Sequence, residues 1–288
     1  MTPRLQVIGG GKMGEALVAG LIAAGFAPAA ELSVVEKLEA RAAELRERFP
    51  DLRVVTDPGP AGGHVLAVKP GDVEAACRAL AAVARSAGPR GGAPGVAVEV
   101  EAGGGDGPAP VLSIAAGVTI ARLEAALAPG TPVVRAMPNT PALVGAGAAA
   151  VAAGSAAGER ELAWAEAVLG AVGTVVRVPE PSLDAVTGLS GSGPAYVFLV
   201  AEALVEGGVL AGLPRPTAAA LATQTLLGAA RLLADSPEGP EALRAAVTSP
   251  GGTTAAGLRA LERAGVRSAF LDAVMDATER SRELGRGD

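Results

Sequence analysis

An α/β half with a largely parallel sheet, followed by an all-helical half, is the fold class this chain predicts, and three observations carry the prediction. The apolar run Leu5–Ile8 leads into Gly9, Gly11 and Gly14 and then into a helical pattern with apolar residues at 17, 18, 21 and 22. Short β-like apolar runs then alternate with helical stretches as far as residue 178. Beyond Pro179, long helical segments follow one another with almost no β-rich runs. Residues 1–178 are therefore expected to form a Rossmann-like dinucleotide-binding domain and residues 179–288 a helical one.

Each element follows from its local chemistry. At 5–21 the sequence reads as buried strand, tight turn and helix start. The three glycines stand at GxGxxG spacing: the first allows the turn, the second lets a pyrophosphate approach the backbone, and the third lets the helix sit close to the strand. The anion then rests on helix N-terminal amides around Lys12 and Met13. A second strand at 32–35 ends at Glu36, roughly 20 residues past Gly14, near the distance at which a strand-end acid binds an adenosine ribose. Glu36 reads equally as the start of the solvated face of the next helix, 38–49. Strands at 54–55 and 65–68 are each closed by turn chemistry, Asp57-Pro58-Gly59-Pro60 and Lys69-Pro70-Gly71. A helix over 72–85 has Asp72 as its expected cap. The Gly- and Pro-rich segment 86–110 reads as a surface excursion with an edge strand or small hairpin at 96–100. Strands at 111–114 and 133–137 flank a short helix at 121–128, and strands at 148–152 and 174–178 flank a helix at 159–169. Helices at 195–211, 216–234, 241–247, 254–264 and 267–284 complete the chain.

Composition narrows the function classes. The net charge of -6 offers no basic surface for nucleic acid. One cysteine, Cys77, permits no intrachain disulfide and is compatible with a cytoplasmic home, where it reads as a buried, inert thiol. One histidine, His64, excludes a His-cluster metal site, and its place just before an apolar run suits a loop or strand edge better than catalysis. The uncharged run 141–158 approaches a membrane span in length but is mostly Ala and Gly, too weakly hydrophobic to insert. A soluble protein without a membrane or nucleic-acid partner is expected.

Several separated strings carry a resemblance. The glycine turn, Leu66-Ala67-Val68-Lys69-Pro70, Ser113-Ile114-Ala115-Ala116-Gly117-Val118, Met137-Pro138-Asn139-Thr140-Pro141, Asp184-Ala185-Val186-Thr187-Gly188-Leu189-Ser190-Gly191-Ser192-Gly193-Pro194 and Val247-Thr248-Ser249-Pro250-Gly251-Gly252-Thr253-Thr254 appear in this order over nearly the whole chain. Together they closely resemble the pyrroline-5-carboxylate reductase family. Two stretches depart from the family's usual plan: 86–110 is unusually long, and 57–64 looks shortened.

The resemblance implies hydride transfer from NAD(P)H to the C=N carbon of 1-pyrroline-5-carboxylate, giving L-proline. It assigns the substrate to a loop with Ser249, Gly252, Thr253 and Thr254, with Thr254 as the catalytic hydrogen-bond partner of the ring nitrogen. Glu180 matches a substrate-contacting acid of some relatives and reads equally as a solvated loop carboxylate. Cofactor contacts are implied at Gly9, Gly11, Lys12, Met13, Gly14, Glu36, Ala67, Val68, Lys69, Pro70, Ile114, Ala115, Ala116, Asn139 and Thr140, the strand-end positions where open α/β sheets bind ligands. No metal is implied. The family leans toward NADP(H), whereas the carboxylate of Glu36 would repel a 2′-phosphate and favours NAD(H). An interlocked homodimer, assembled further into a ring of dimers, is the implied quaternary form, so the helical half becomes an all-α dimerisation domain. Rival readings are another imine or β-hydroxyacid reductase, or a non-catalytic dinucleotide-binding regulator.

Overall fold

The computed structural model describes residues 2–86 and 107–286, so the strand or hairpin expected at 96–100 lies outside the described residues. The chain divides into two compact units. One takes the residues up to Gly191 together with the segment from Ala277, and the other runs Ser192–Asp276. The division falls at 191/192 where the sequence suggested 178/179, and the end of the chain belongs to the first unit.

In the first unit, β1 (Leu5–Ile8), β2 (Leu32–Val35), β3 (Arg53–Val55), β4 (His64–Leu66), β5 (Val111–Ser113), β6 (Val133–Met137), β7 (Gly147–Ala153) and β8 (Gly173–Arg177) form one sheet in the order β3-β2-β1-β4-β5-β6-β7-β8. Among the described strand pairs, only β6/β7 is antiparallel. The exception follows from the connection, since a single short helical turn, Thr140–Val144, joins the two strands and leaves no room for a crossover.

The strands are short and apolar because both faces are covered. On one face Leu5, Val7 and Val34 pack with Leu17 and Leu21 of α1 (Lys12–Ala23) and with Trp164 and Val168 of α5 (Glu159–Gly170), α2 (Glu39–Arg48) contributing Leu45. On the other, Ile8, Val35 and Leu66 meet Val73, Cys77 and Leu80 of α3 (Val73–Ser86) and Leu123 of α4 (Ile120–Ala126). Trimming one such leucine to alanine costs about 2–5 kcal/mol. Gly63 shows how tightly these layers close: a Cβ there would come within 2.5 Å of Trp164 Cζ2.

Two local expectations need correcting. Asp72 does not cap α3, because a 3-10 turn over Pro70–Asp72 runs straight into the helix and Asp72 is its last residue. The fourth strand is His64–Leu66 instead of 65–68, since Ala67 onward already turns toward the glycine loop. His64 is that strand's first residue and is 5 % exposed.

Asp184 to Gly191 is helical as well. The short α6 (Leu183–Val186) passes into a wide turn, Thr187–Gly191, and Gly191 lies where a Cβ would meet Met137 Cε at 2.7 Å. The last turns of the chain supply Thr278 and Ser281, both buried, and Ser281 Oγ donates to Asp184 Oδ1 at 2.7 Å.

The second unit is entirely helical: α7 (Gly193–Leu210), α8 (Arg215–Asp235), α9 (Pro240–Ala246), α10 (Thr253–Arg263) and most of α11 (Val266–Arg286). Pro194 sits in the first turn of α7, where its missing N–H costs nothing. Gly208 of α7 faces Ala218 of α8 so closely that a Cβ would stand 2.9 Å from Ala218 Cβ. Little else is covered. Ala218 and Ala222 are this unit's buried apolar residues, whereas Phe198, Leu199 and Leu210 are 63 %, 65 % and 90 % exposed.

Candidate functional site

The carboxyl ends of β1, β4, β5 and β6 are neighbours in the sheet, and the loops that leave them form one rim. Gly9 adopts φ +107, a conformation that side-chain-bearing residues avoid, and a Cβ on it would lie 2.7 Å from the Ala67 carbonyl oxygen. The Ala67 amide in turn donates to the Ile8 carbonyl at 2.8 Å, and the Ile114 amide to Leu66 at 3.1 Å, so the glycine turn, Ala67 and Ile114 are stitched side by side. Gly14 sits against the Gly9 carbonyl with no room for a side chain.

Gly11 differs from both. A Cβ there would meet nothing within 4 Å, so the space in front of this backbone is open. Gly11 also begins α1 without any side-chain cap, and the first bond of the helix runs from the Glu15 amide to the Gly11 carbonyl at 2.9 Å. The amides of Lys12, Met13 and Gly14 precede that bond and remain for an anion. A glycine turn that a side chain would fill, with unspent amides behind it, fits the pyrophosphate of a dinucleotide.

Glu36 follows β2, and its carboxylate reaches back to the turn. Oε2 accepts from the Gly10 amide at 3.1 Å and Oε1 from the Leu38 amide at 2.9 Å. The side chain is thus fixed beside the glycine turn. Arg41 meets the same residue from α2: Nε donates to the Gly10 carbonyl at 2.7 Å, and the other two guanidinium nitrogens pair with Glu44 at 2.6 Å and with Glu15. Glu15 and Arg41 carried no signal in the sequence, because they are 26 residues apart and meet only through the fold.

The remaining rim residues divide by what they can offer. Lys69 and Pro70 are exposed where the loop after β4 enters its 3-10 turn, and Val68 is half-buried there. Ala115 is buried, Ile114 is half-buried and Ala116 is exposed after β5. Asn139 uses its side chain internally, accepting from the Ala148 amide at 2.8 Å and donating to the Ser190 carbonyl at 3.0 Å, which leaves backbone and the exposed Thr140 to face a ligand.

Glu180 stands elsewhere in the first unit. Its Oε1 accepts from the Ile120 amide, the first of α4, at 2.7 Å and from Arg135 at 2.9 Å. The Arg135 side chain is only 9 % exposed, so Glu180 balances a charge that the sheet has buried.

In the second unit, Ser249 to Gly252 form a tight turn, with the Gly252 amide donating to the Ser249 carbonyl at 3.0 Å and Gly251 at φ +70. Gly252 is the N-cap of α10 and no side chain caps it, so Ser249 is not spent as a cap. The first bond of α10 runs from the Ala256 amide to the Gly252 carbonyl at 3.1 Å, leaving the amides of Thr253, Thr254 and Ala255 ahead of it. Among the described residues the hydroxyls of Ser249, Thr253 and Thr254 have no partner. Free hydroxyls and free amides on one turn suit a small carboxylate with a polar neighbour.

Comparison with known proteins agrees with both halves. Residues 180–284 match the family described as pyrroline-5-carboxylate reductase dimerisation, and residues 4–88 the family described as NADP oxidoreductase coenzyme F420-dependent. A pyrroline-5-carboxylate reductase of Synechocystis is 45 % identical over 290 residues, covering 99 % of this chain and 100 % of that one. The structure of a pyrroline-5-carboxylate reductase from Coxiella burnetii superposes with a TM-score of 0.85 at 34 % identity, covering 99 % of each chain. A Plasmodium falciparum pyrroline carboxylate reductase with NADP bound gives 0.78 at 26 % identity over 98 % of each chain.

Proposed function

The chain belongs to the pyrroline-5-carboxylate reductase family, and from that premise we propose that it reduces 1-pyrroline-5-carboxylate to L-proline, the last step of proline biosynthesis. The observation that carries the reading is the uncommitted Ser249–Thr254 turn at the start of α10, in a chain that also holds a dinucleotide cradle. Bound NAD(P)H supplies the hydride. The substrate carboxylate rests on the α10 amides and the Ser249 hydroxyl, and Thr254 Oγ1 accepts from the protonated ring nitrogen. An iminium is already electrophilic, so the protein's task is orientation of two bound partners, with no side-chain acid required. Following loss of reduced-nicotinamide absorbance together with formation of proline tests the activity, and no turnover of the cyclic imine with either cofactor overturns it.

For the cofactor, the reading is that NADH serves at least as well as NADPH, with Glu36 bonding the adenosine ribose. A carboxylate about 4 Å from a phosphate costs on the order of 1 kcal/mol in water and more where solvent is partly excluded. An exposed lysine such as Lys37 offsets only about 0–1 kcal/mol of this.

The functional unit is proposed to be a cytoplasmic homodimer that assembles into a ring of dimers. Supporting this is the exposure of Phe198, Leu199 and Leu210, a surface too apolar to leave in water. By length and composition Glu180–Leu210 would also pass for a membrane span; the reading assigns this surface to a second copy of the chain.

A further inference from the structure

The peptide unit around Gly10 is gripped from two sides. Glu36 takes its N–H, and Arg41, the third residue of α2, takes its C=O at 2.7 Å. A guanidinium so placed stands at the same turn that Glu36 grips, and is a second cation there besides Lys37. It is not free to act as one. Nε is held by Gly10, one terminal nitrogen by Glu44 at 2.6 Å and the other by Glu15. Glu15 also pairs with Arg48 at 2.5 Å, and its own side chain is only 16 % exposed. Burial alone would raise its carboxyl pKa, but the two arginines outweigh that and hold it below the usual range, so Glu15 carries its charge at any working pH.

A plain tether between α1 and α2 would need one ion pair. Here a single half-buried carboxylate bridges two arginines beside the glycine turn, whereas an exposed pair contributes little to stability. We propose that Glu15 is a specificity-determining residue: by holding Arg41 against the glycine turn, it withholds a cation that would otherwise pair with an adenosine 2′-phosphate. The proposal rests on the reading of Glu36 as the ribose acid. Glu36 repels the phosphate, and Glu15 removes its counter-charge.

The test is binding of two nucleotide fragments, adenosine 5′-monophosphate and adenosine 2′,5′-bisphosphate, measured by calorimetry on the full-length protein. The proteins are the unmutated chain, Glu15→Gln, Glu15→Asp, Glu36→Ser and the Glu15→Gln/Glu36→Ser pair. Glu15→Gln should tighten the bisphosphate at least fivefold relative to the monophosphate, Glu15→Asp should restore the original ratio, and the pair should exceed either single change. The NADPH/NADH ratio of kcat/KM should move in the same direction. A ratio unchanged in Glu15→Gln, or both fragments weakened equally, makes Glu15 a tether only and overturns the proposal. If Glu36→Ser alone moves the ratio, the ribose reading stands while the Glu15 proposal falls. If Glu36→Ser does not move it, the ribose reading falls, and the Glu15 proposal that rests on it falls with it.

Discussion

Replacing Glu180 by alanine separates two roles that the sequence alone leaves open. In the structure its carboxylate neutralises Arg135, whose side chain is 9 % exposed, and accepts from the first amide of α4. Removing one member of a fully buried pair costs about 3–5 kcal/mol, because the other charge stays in the interior. Glu180 is itself 30 % exposed, so water reaches the gap and the figure falls to about 2 kcal/mol. Losing the acceptor at the α4 N-terminus adds about 1 kcal/mol. At about 2–4 °C per kcal/mol for a unit of this size, the total of about 3 kcal/mol lowers Tm by about 6–12 °C. Scanning calorimetry reads that shift, and steady-state kinetics well below the transition should find KM for 1-pyrroline-5-carboxylate changed by less than about threefold, within the scatter of a surface substitution. An unchanged Tm with a large rise in KM would refute the reasoning and put Glu180 against the substrate.

Thr254→Ala should lower turnover of the cyclic imine while leaving nucleotide binding intact, because the hydroxyl it removes is committed to nothing among the described residues; unchanged turnover in a folded variant removes Thr254 from the reaction. Glu36→Ser should shift preference toward NADPH, and a tenfold NADPH preference in the unmutated enzyme, ~1.4 kcal/mol the other way, means that Glu36 does not meet the ribose. Burial, with Glu74 adding to it, pushes the Cys77 thiol up to about 11, so it should resist alkylation until the protein unfolds. Since the folded state holds that proton more tightly, its stabilising contribution is complete below pH ~9 and is lost as pH rises through about 11, which alkaline denaturation followed by thiol labelling reads out. Light scattering should find a homodimer or a multiple of it, and an active monomer at working concentration contradicts the assembly.

What the sequence made legible was whatever local chemistry decides. The apolar runs at Leu5–Ile8, Leu32–Val35 and Val133–Met137 announced buried strands because a central parallel strand must be apolar on both faces. The turn beginning at Gly9 was readable because its positive φ is one that other residues avoid. Asp72 misled because an acid before a helical pattern looks like a cap, and the proline two residues earlier opened a 3-10 turn instead. Long-range pairings left no trace. Arg135 sat unremarked inside an apolar strand, and nothing local ties it to Glu180, 45 residues away. Glu36 was ambiguous on spacing alone, and its bonds to Gly10 and Leu38 fix where its carboxylate stands.

The first unit is built from two separated pieces of chain, with the helical unit threaded between them. During synthesis the sheet can therefore assemble early, but Asp184 waits for Ser281, which the ribosome delivers only after the whole helical unit. Until then the nascent α/β unit lacks its last turns of helix, and the apolar helices emerge before the unit that precedes them is finished. A chain cut short after Asp276 would keep the residues of the helical unit, exposed Phe198 and Leu210 among them, but would lose the Ser281 hydroxyl that bonds Asp184 in the first unit.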